Sequence, residues 1–344
     1  MSLDTAQKIV NFAFDIVPAG QKIHFSFFGG EPILCFHLMR KITDYMRKKE
    51  KEFNKPISIG LTSNGTLLTE NALAFFKEQD IELCISIDGP EHVHNMNRVY
   101  EDGHGSYCDV LKKINLAQKL NCRFQVNAVY GPDTINNLSE TVDFFCKKGI
   151  FSIHLNPNIS ALWKEEAYSS MRKSIKEIAE YYVKSYENRQ EIAIDLIDSK
   201  TILLIKEGYE REDKCGMGET EWGFSASGNI YPCERFIGDD NLSFCFGNIR
   251  TGFNIAKRCS ILERRGNTDE KCKTCVYEKY CMNWCGCTNY FMTGQSDSAS
   301  KFLCESEKAA IEAAKHVFIA LSNNNLFVEH YLKYLQEDHL RLVI

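Results

Sequence analysis

The chain has 344 residues, of which 44% are hydrophobic and 25% are charged, so it is long enough to bury a substantial core. A formal net charge of -5 argues against a nucleic-acid-binding protein, which usually carries a basic surface. Because no apolar run approaches the roughly 18 residues of a membrane-spanning helix, and no signal-peptide pattern opens the chain, we expect a cytoplasmic protein.

The first half of the chain alternates short apolar runs with amphipathic stretches, which predicts repeated βα units and a parallel sheet. Strands are predicted at residues 23–28, 57–63, 81–88, 123–130 and 150–155. Helices are predicted at residues 4–16, 34–53, 70–78, 107–119 and 135–148. The first three strands run into turn residues at their carboxyl ends, which is where α/β folds place ligands.

The second half of the chain no longer shows the alternating βα pattern. Two polar helical stretches, at about 165–188 and 194–206, form a bridge. From Cys215 onward the chain is rich in glycine, cysteine and aromatic residues, and a turn signal at 227–229 predicts a β-hairpin. The last segment is again mostly helical in pattern.

Fifteen cysteines are a high number for this length. Without a signal peptide, thiolates on metal are favoured over disulfides. The cysteines of the first half are scattered singly and are interpreted as small core residues. In the second half, the run Cys272-x2-Cys275-x5-Cys281-x3-Cys285 allows several thiolates to converge on one centre. Since tetrahedral thiolate sites hold zinc as well as iron, the spacing alone leaves both metals open.

The order of these residues resembles the SPASM signature of radical S-adenosylmethionine (SAM) maturases. In that signature a cysteine, a glycine and a cysteine precede a C-x2-C-x5-C-x3-C run and a last cysteine. Here the corresponding residues are Cys215, Gly228, Cys233, the run from Cys272 to Cys285, and Cys304. Anaerobic sulfatase-maturating enzymes, and maturases that crosslink ribosomally made peptides, are the relatives that this resemblance suggests.

Three strand ends in the first half resemble the same family. Segment 28–32, Phe-Gly-Gly-Glu-Pro, is similar to the family motif that binds the amino group of SAM, and segments 61–65 and 86–90 are similar to the next two strand ends. The resemblance therefore implies that SAM is bound by Gly29, Gly30, Glu31, Pro32, Ser63, Asn64 and Ser86. Taken alone, Asn64-Gly65 is equally a capped turn.

The resemblance also implies a fold. It is an α/β fold with a partial (β/α)6 TIM-like radical SAM barrel, followed by a cysteine-rich SPASM iron–sulfur domain and C-terminal helices. The expected domains are the partial barrel at 1–157, a helical bridge at 158–210, the SPASM domain at 211–306 and a helical tail at 307–344.

Two auxiliary [4Fe–4S] clusters are implied by the family pattern. The distal cluster would be bound by Cys272, Cys275, Cys281 and Cys304. The cluster nearer the barrel would be bound by Cys215, Cys233 and Cys285. Its fourth position is either an open iron site or is closed by Cys245, Cys259 or Cys287.

The defining C-x3-C-x2-C motif of the class is absent from these 344 residues. Cys281-x3-Cys285 has its spacing, but Thr288 stands where the third cysteine is required. In the family the motif lies before a helix resembling residues 4–16, so we expect it to fall upstream of residue 1. The chain as printed is therefore expected to be inactive in SAM cleavage.

The implied activity is the oxidation or crosslinking of a side chain in a protein or ribosomally made peptide, by sulfatase formylglycine formation or by thioether formation. A flavodoxin or ferredoxin-type reductant would supply the electron that cleaves SAM, and the resulting 5′-deoxyadenosyl radical would abstract a substrate hydrogen. Glu234, next to Cys233, would be the catalytic base, although an ordinary solvated or paired glutamate explains the residue equally well. The alternative from another class is a zinc-stabilised, cysteine-rich peptide-binding protein without redox chemistry.

Overall fold

The computed structural model describes residues 1–263 and 269–336 and groups them into two compact units. Unit 1 comprises Met1–Ile87, Arg98–Gln125 and Gly216–Glu263. Unit 2 comprises Asp88–Asn97, Val126–Cys215 and residues 269–336. Residues 264–268 of the expected SPASM domain and residues 337–344 of the expected tail lie outside the described residues.

The strands fall into a parallel set, β1 to β6, and an antiparallel set, β7 to β10. They are β1 (Ile23–Phe27), β2 (Ile57–Ser63), β3 (Ile81–Ser86), β4 (Phe124–Tyr130), β5 (Ser152–Pro157), β6 (Ala193–Ile194), β7 (Gly223–Phe224), β8 (Asn229–Tyr231), β9 (Gly247–Asn248) and β10 (Gly252–Phe253).

The helices connect the parallel strands and cover the second half of the chain. They are α1 (Leu3–Ile16), α2 (Phe36–Phe53), α3 (Glu70–Glu78), α4 (Glu91–Asn97), α5 (Tyr107–Lys119), α6 (Leu138–Lys147), α7 (Glu165–Glu187), α8 (Asp195–Ile205), α9 (Ile255–Leu262), α10 (Glu270–Lys273), α11 (Gly286–Thr293), α12 (Lys301–Leu321) and α13 (Asn325–Gln336). Short 3₁₀ turns lie at Pro32–Cys35, Ile135–Asn137, Glu234–Phe236 and Glu278–Tyr280.

Parallel pairing joins strands of the first set, β1 to β6, within each unit. In unit 1, β1 pairs with β2 and β2 pairs with β3, with Phe27 opposite Leu61 and Ser63 opposite Ile85. In unit 2, β4 pairs with β5 and β5 pairs with β6. Helices between successive strands make this possible, since a parallel pair requires a crossover connection. The predicted α/β fold, with parallel strands and intervening helices, is confirmed.

The differences from prediction concern short elements. Strand β6 lies where the pattern indicated the start of a helix, and its two residues are too few to give a periodic signal. Its backbone pairs with Ser152 and Ile153 of β5, and the Asp198 carboxylate accepts a hydrogen bond from the Ile194 N–H. The helix predicted from residue 34 is preceded by a 3₁₀ turn that begins at Pro32. Proline suits this first position because it has no N–H group that would need a hydrogen-bond acceptor.

The predicted hairpin is present in unit 1 as β7 and β8, with Gly223 opposite Tyr231 and Phe224 opposite Ile230. Gly228 closes its turn with a φ of +90°, a conformation that favours glycine. A Cβ at this position would lie 2.9 Å from the Ile249 Cγ2 atom, so the turn also needs the missing side chain for space. The hairpin therefore fixes the position of Cys233, which lies two residues after the end of β8.

Helical packing forms the core of unit 2. Helix α12 packs on α7 and α8, and the fully buried rings of Tyr182 and Tyr186 stack with centroids 5.1 Å apart. The Tyr182 hydroxyl donates to the Asp198 carboxylate over 2.6 Å, which satisfies a buried charge on α8. Among the residues that the structure describes, no helix is long and apolar enough to span a bilayer.

Candidate functional site

Glu31 is held firmly at the carboxyl end of β1. Its Oε1 atom accepts hydrogen bonds from the Ile33 N–H at 3.0 Å and the Ser63 hydroxyl at 2.9 Å, and its Oε2 atom accepts one from the Asn64 N–H at 2.7 Å. A carboxylate offers about four acceptor positions, so Oε2 keeps one for a further donor. Three fixed donors orient that remaining position.

The two glycines before Glu31 leave space beside it. A Cβ built on Gly29 or Gly30 would meet no atom of the described residues within 4 Å, and Gly29 has a φ of +138°. Pro32 opens the 3₁₀ turn that Glu31 caps. Residues 29–32, Ser63 and Asn64, here called the Glu31 rim, thus combine a fixed anionic acceptor with backbone that a ligand can approach closely.

Asn64 and Ser86, which were also predicted to bind SAM, lie in different surroundings. Asn64 caps its own turn, because its Oδ1 accepts from the Thr66 N–H at 3.0 Å and the Thr66 hydroxyl at 2.8 Å. Ser86 is buried at the end of β3, one residue beyond the Ser63–Ile85 register pair. The structure therefore brings Glu31, Ser63 and Asn64 into direct contact, and it places Ser86 at the end of the neighbouring strand.

Four predicted ligands line a single pocket in unit 2. Cys272, Cys275, Cys281 and Cys304 all contribute to its wall, together with Glu307 and Lys308. We call it the four-cysteine pocket. Cys304 lies on α12, whereas the other three lie on the preceding loops and short helices. The local spacing brought three of these cysteines together, and the docking of α12 supplies the fourth.

The Cys281 thiol lies in an unfavourable place for a charge. Burial raises its pKa well above the ordinary value, the nearby Glu307 carboxylate adds to this effect, and Lys200 opposes it. A metal ion reverses this balance, because thiolates bind metal only after losing their protons. The four thiols therefore suit a soft metal centre, and the chemistry of sulfur donors fits an iron–sulfur cluster or zinc.

The three cysteines predicted for the nearer cluster are distributed over both units. Cys233 lies in unit 1, and Cys215 and Cys285 lie in unit 2. Within unit 2 the Cys285 and Cys287 sulfurs are 3.4 Å apart, and the hydrogen bond from Cys287, followed by burial, raises the pKa of Cys285. Of the three cysteines left open as a fourth ligand, Cys287 is thus in contact with a predicted ligand.

Glu234 lies against its neighbour Cys233, whose thiol donates to the Glu234 Oε2 atom over 3.3 Å. Glu221 joins them, since one ligand atom from each of these three residues lies within 4.8 Å of the others. Our sequence reasoning missed Glu221. The hairpin register contained the signal: Gly223 pairs with Tyr231, so residues two further out on each side, Glu221 and Cys233, lie across from each other.

Comparison with known proteins identifies a family for the first part of the chain. Residues 2–145 match the model of the radical SAM superfamily. The cysteine-type anaerobic sulfatase-maturating enzyme of Clostridium perfringens (strain 13 / Type A) is 26% identical over 319 residues, which cover 87% of this chain and 83% of that protein.

Two solved structures share the fold. Hexahistidine-tagged anSMEcpe with bound AdoMet has a TM-score of 0.82 at 20% identity, covering 99% of this chain and 91% of that one. Streptococcus suis SuiB bound to precursor peptide SuiA has a TM-score of 0.58 at 15% identity, covering 88% of this chain and 69% of that one. The expected resemblance is confirmed: residues 2–145 carry a radical SAM domain, and the chain is homologous to the anaerobic sulfatase-maturating enzymes.

Proposed function

We propose that this chain belongs to a maturase that oxidises or crosslinks a side chain of a protein or peptide substrate, with SAM bound at the Glu31 rim and an auxiliary [4Fe–4S] cluster in the four-cysteine pocket. The observation that carries the proposal is the convergence of Cys272, Cys275, Cys281 and Cys304 in a chain whose first part is a radical SAM domain. Iron–sulfur clusters are held by four thiolates in this manner.

At the Glu31 rim, the chain's own groups act by binding and orientation. Hydrogen bonds from Ser63 and from the Asn64 backbone fix the Glu31 carboxylate, and its remaining acceptor position suits an ammonium donor such as the amino group of SAM. Bound SAM and a reducing cluster would supply the radical chemistry. Gly29 and Gly30 leave room for the ligand because, in the part of the chain that the structure describes, no atom lies within 4 Å of where their Cβ atoms would be.

The substrate class follows from the relatives. The clostridial homologue is named as a cysteine-type sulfatase-maturating enzyme, and SuiB was solved with its precursor peptide. We therefore propose a protein or ribosomally made peptide as the substrate, with formylglycine or thioether formation as the reaction. Glu234 is the proposed base that takes the proton from the oxidised side chain, and a flavodoxin or ferredoxin-type protein is the proposed reductant.

The nearer cluster remains part of the proposal. We propose Cys215, Cys233 and Cys285 as its ligands, with Cys287 as the favoured fourth cysteine because its sulfur already lies beside that of Cys285. Cys245 is less suited because its thiol donates to the Gly247 carbonyl within unit 1.

The test is a metal count after anaerobic reconstitution. The wild-type chain is expected to hold about eight irons with matching acid-labile sulfide, and the Cys281→Ala/Cys304→Ala double variant about four, because two [4Fe–4S] clusters become one. The control Cys108→Ala/Cys122→Ala removes two cysteines outside the predicted ligand sets and should keep all the iron. One or two zincs, without iron, would instead establish the zinc-stabilised binding protein.

A further inference from the structure

A buried ion pair joins two helices beside the four-cysteine pocket. The Lys200 ammonium on α8 lies 2.6 Å from the Glu307 carboxylate on α12, and their side chains are only 6% and 9% exposed. Removing two such charges from water costs several kcal/mol per ion in general, so their attraction alone gives little net stabilisation. The other contacts of the pair indicate what it does.

Both members of the pair bind the backbone around Cys281. The Lys200 Nζ donates to the Tyr280 carbonyl at 3.2 Å, and the Glu307 Oε2 accepts from the Met282 N–H at 2.5 Å. The residue before Cys281 and the residue after it are therefore each tied to one partner of the same ion pair. This arrangement fixes the position from which the Cys281 sulfur enters the pocket.

The pair also places charge at the pocket itself. Glu307 is part of the pocket wall, and Lys200, which does not line the pocket, forms the ion pair with its carboxylate. The reduction potential of an iron–sulfur cluster depends on nearby net charge and hydrogen bonds, because reduction adds a negative charge. Removing either member of the pair therefore changes the charge beside the four thiolates, and the two removals change it in opposite directions.

We propose that Lys200 and Glu307 are positioning residues of the auxiliary cluster, which hold Cys281 as a ligand and balance the charge that sets the cluster's potential. This rests on the proposed function, since it takes the four-cysteine pocket to be a cluster site. It assigns a role to two residues, 107 positions apart, that lie outside the cysteine pattern.

The experiment measures the midpoint potential of the spectroscopic signal that Cys281→Ala/Cys304→Ala abolishes. Lys200→Met leaves Glu307 uncompensated and should lower the potential. Glu307→Gln keeps an acceptor for the Met282 N–H but leaves Lys200 unpaired, and should raise it. Lys200→Arg keeps the charge and should stay near the wild-type potential.

The matched control is Asp198→Asn, which alters another buried carboxylate on α8 that does not line the pocket. It should lower the melting temperature without moving the potential. If Lys200→Met fails to fold, Glu307→Gln is compared with Asp198→Asn. An upward shift of the midpoint potential in Glu307→Gln alone supports the proposal, and the absence of that shift overturns it.

The proposal is overturned if Lys200→Met and Glu307→Gln leave the potential unchanged or shift it in the same direction. A wild-type chain that takes up no cluster in this pocket refutes the proposed function instead. In a zinc-bound chain, equal zinc affinity in wild type, Lys200→Met and Glu307→Gln would overturn the positioning role as well.

Discussion

The Glu31 rim and the four-cysteine pocket differ in how complete they are without a ligand. At the rim, the Glu31 carboxylate already accepts three hydrogen bonds at 2.7 to 3.0 Å. In the pocket, burial raises the pKa of the Cys281 thiol, which disfavours the thiolate form that a metal requires. The rim thus holds its acceptor in place before any ligand binds, whereas the cluster proposed for the pocket would have to displace the thiol protons to complete its site.

The largest expected effect is a complete absence of SAM cleavage by the chain of 344 residues. The rim orients a carboxylate, but these 344 residues contain no C-x3-C-x2-C motif to present an iron to SAM. The printed chain, reconstituted and reduced, should therefore form no 5′-deoxyadenosine above background. Extending the chain with a segment that carries the motif should restore it, measured by chromatography of the quenched reaction. Stoichiometric 5′-deoxyadenosine from the unextended chain would contradict the assignment.

The next prediction separates the proposed role of Glu234 as a base from the proposed role of Glu31 in binding SAM. Glu31 is held by hydroxyl and backbone donors, whereas Glu234 accepts from the Cys233 thiol beside a second carboxylate, Glu221. In an enzyme with the motif restored and a cysteine-containing substrate peptide, Glu234→Gln should keep its iron and SAM cleavage. It should lose at least about a hundredfold in product formation, as expected for a general base.

The control for Glu234→Gln is Asp239→Asn, a nearby exposed acidic residue, which should leave all three measurements unchanged. Product formation at the wild-type rate in Glu234→Gln would show that another group takes the proton. Loss of iron in that variant would assign Glu234 to cluster binding instead, because its carboxylate lies among potential ligand atoms.

A smaller effect tests the charge at the rim. In Glu31→Gln the amide oxygen can still accept from the backbone, but the charge that attracts an ammonium is lost. A hydrogen bond to a charged group contributes about 1.5–3 kcal/mol, so SAM affinity should fall roughly 10- to 150-fold in equilibrium dialysis. Glu82→Gln, an exposed residue near the opposite end of β3, is the control. Equal affinity in both variants would remove Glu31 from SAM binding.

The sequence predicted the parts of this fold that depend on local signals. Strand β2 and helices α3 and α5 lie where their apolar periodicity placed them, and the turn around Gly228 was visible as a glycine between two short strands. The cysteine run was likewise readable, because close spacing limits where the sulfurs can point. These features depend on residues that lie close together in the sequence.

The rest depended on contacts between distant residues. Nothing in the pattern of α8 marks Lys200 as a buried cation, because its partner Glu307 lies on another helix. Strand β6 is two residues long and forms only because β5 offers it an edge. Glu221 was recoverable from the predicted hairpin, but only by extending its register two residues beyond the paired strands.

The smallest expected effect separates binding from stability at the rim. An alanine methyl at Gly30 would meet no atom within 4 Å among residues 1–263 and 269–336, and the φ of Gly30 lies outside the range that favours glycine. The free energy of unfolding of Gly30→Ala should therefore lie within about 0.5 kcal/mol of the wild-type value. The same methyl occupies the space proposed for SAM and should weaken its binding roughly tenfold, equivalent to about 1.4 kcal/mol. Gly29→Ala is the matched contrast, because a φ of +138° strains any side chain and should lower stability by about 1 kcal/mol or more. Denaturant unfolding and equilibrium dialysis measure the two quantities separately. If Gly30→Ala binds SAM as wild type does, the open space beside Glu31 is not where the ligand lies.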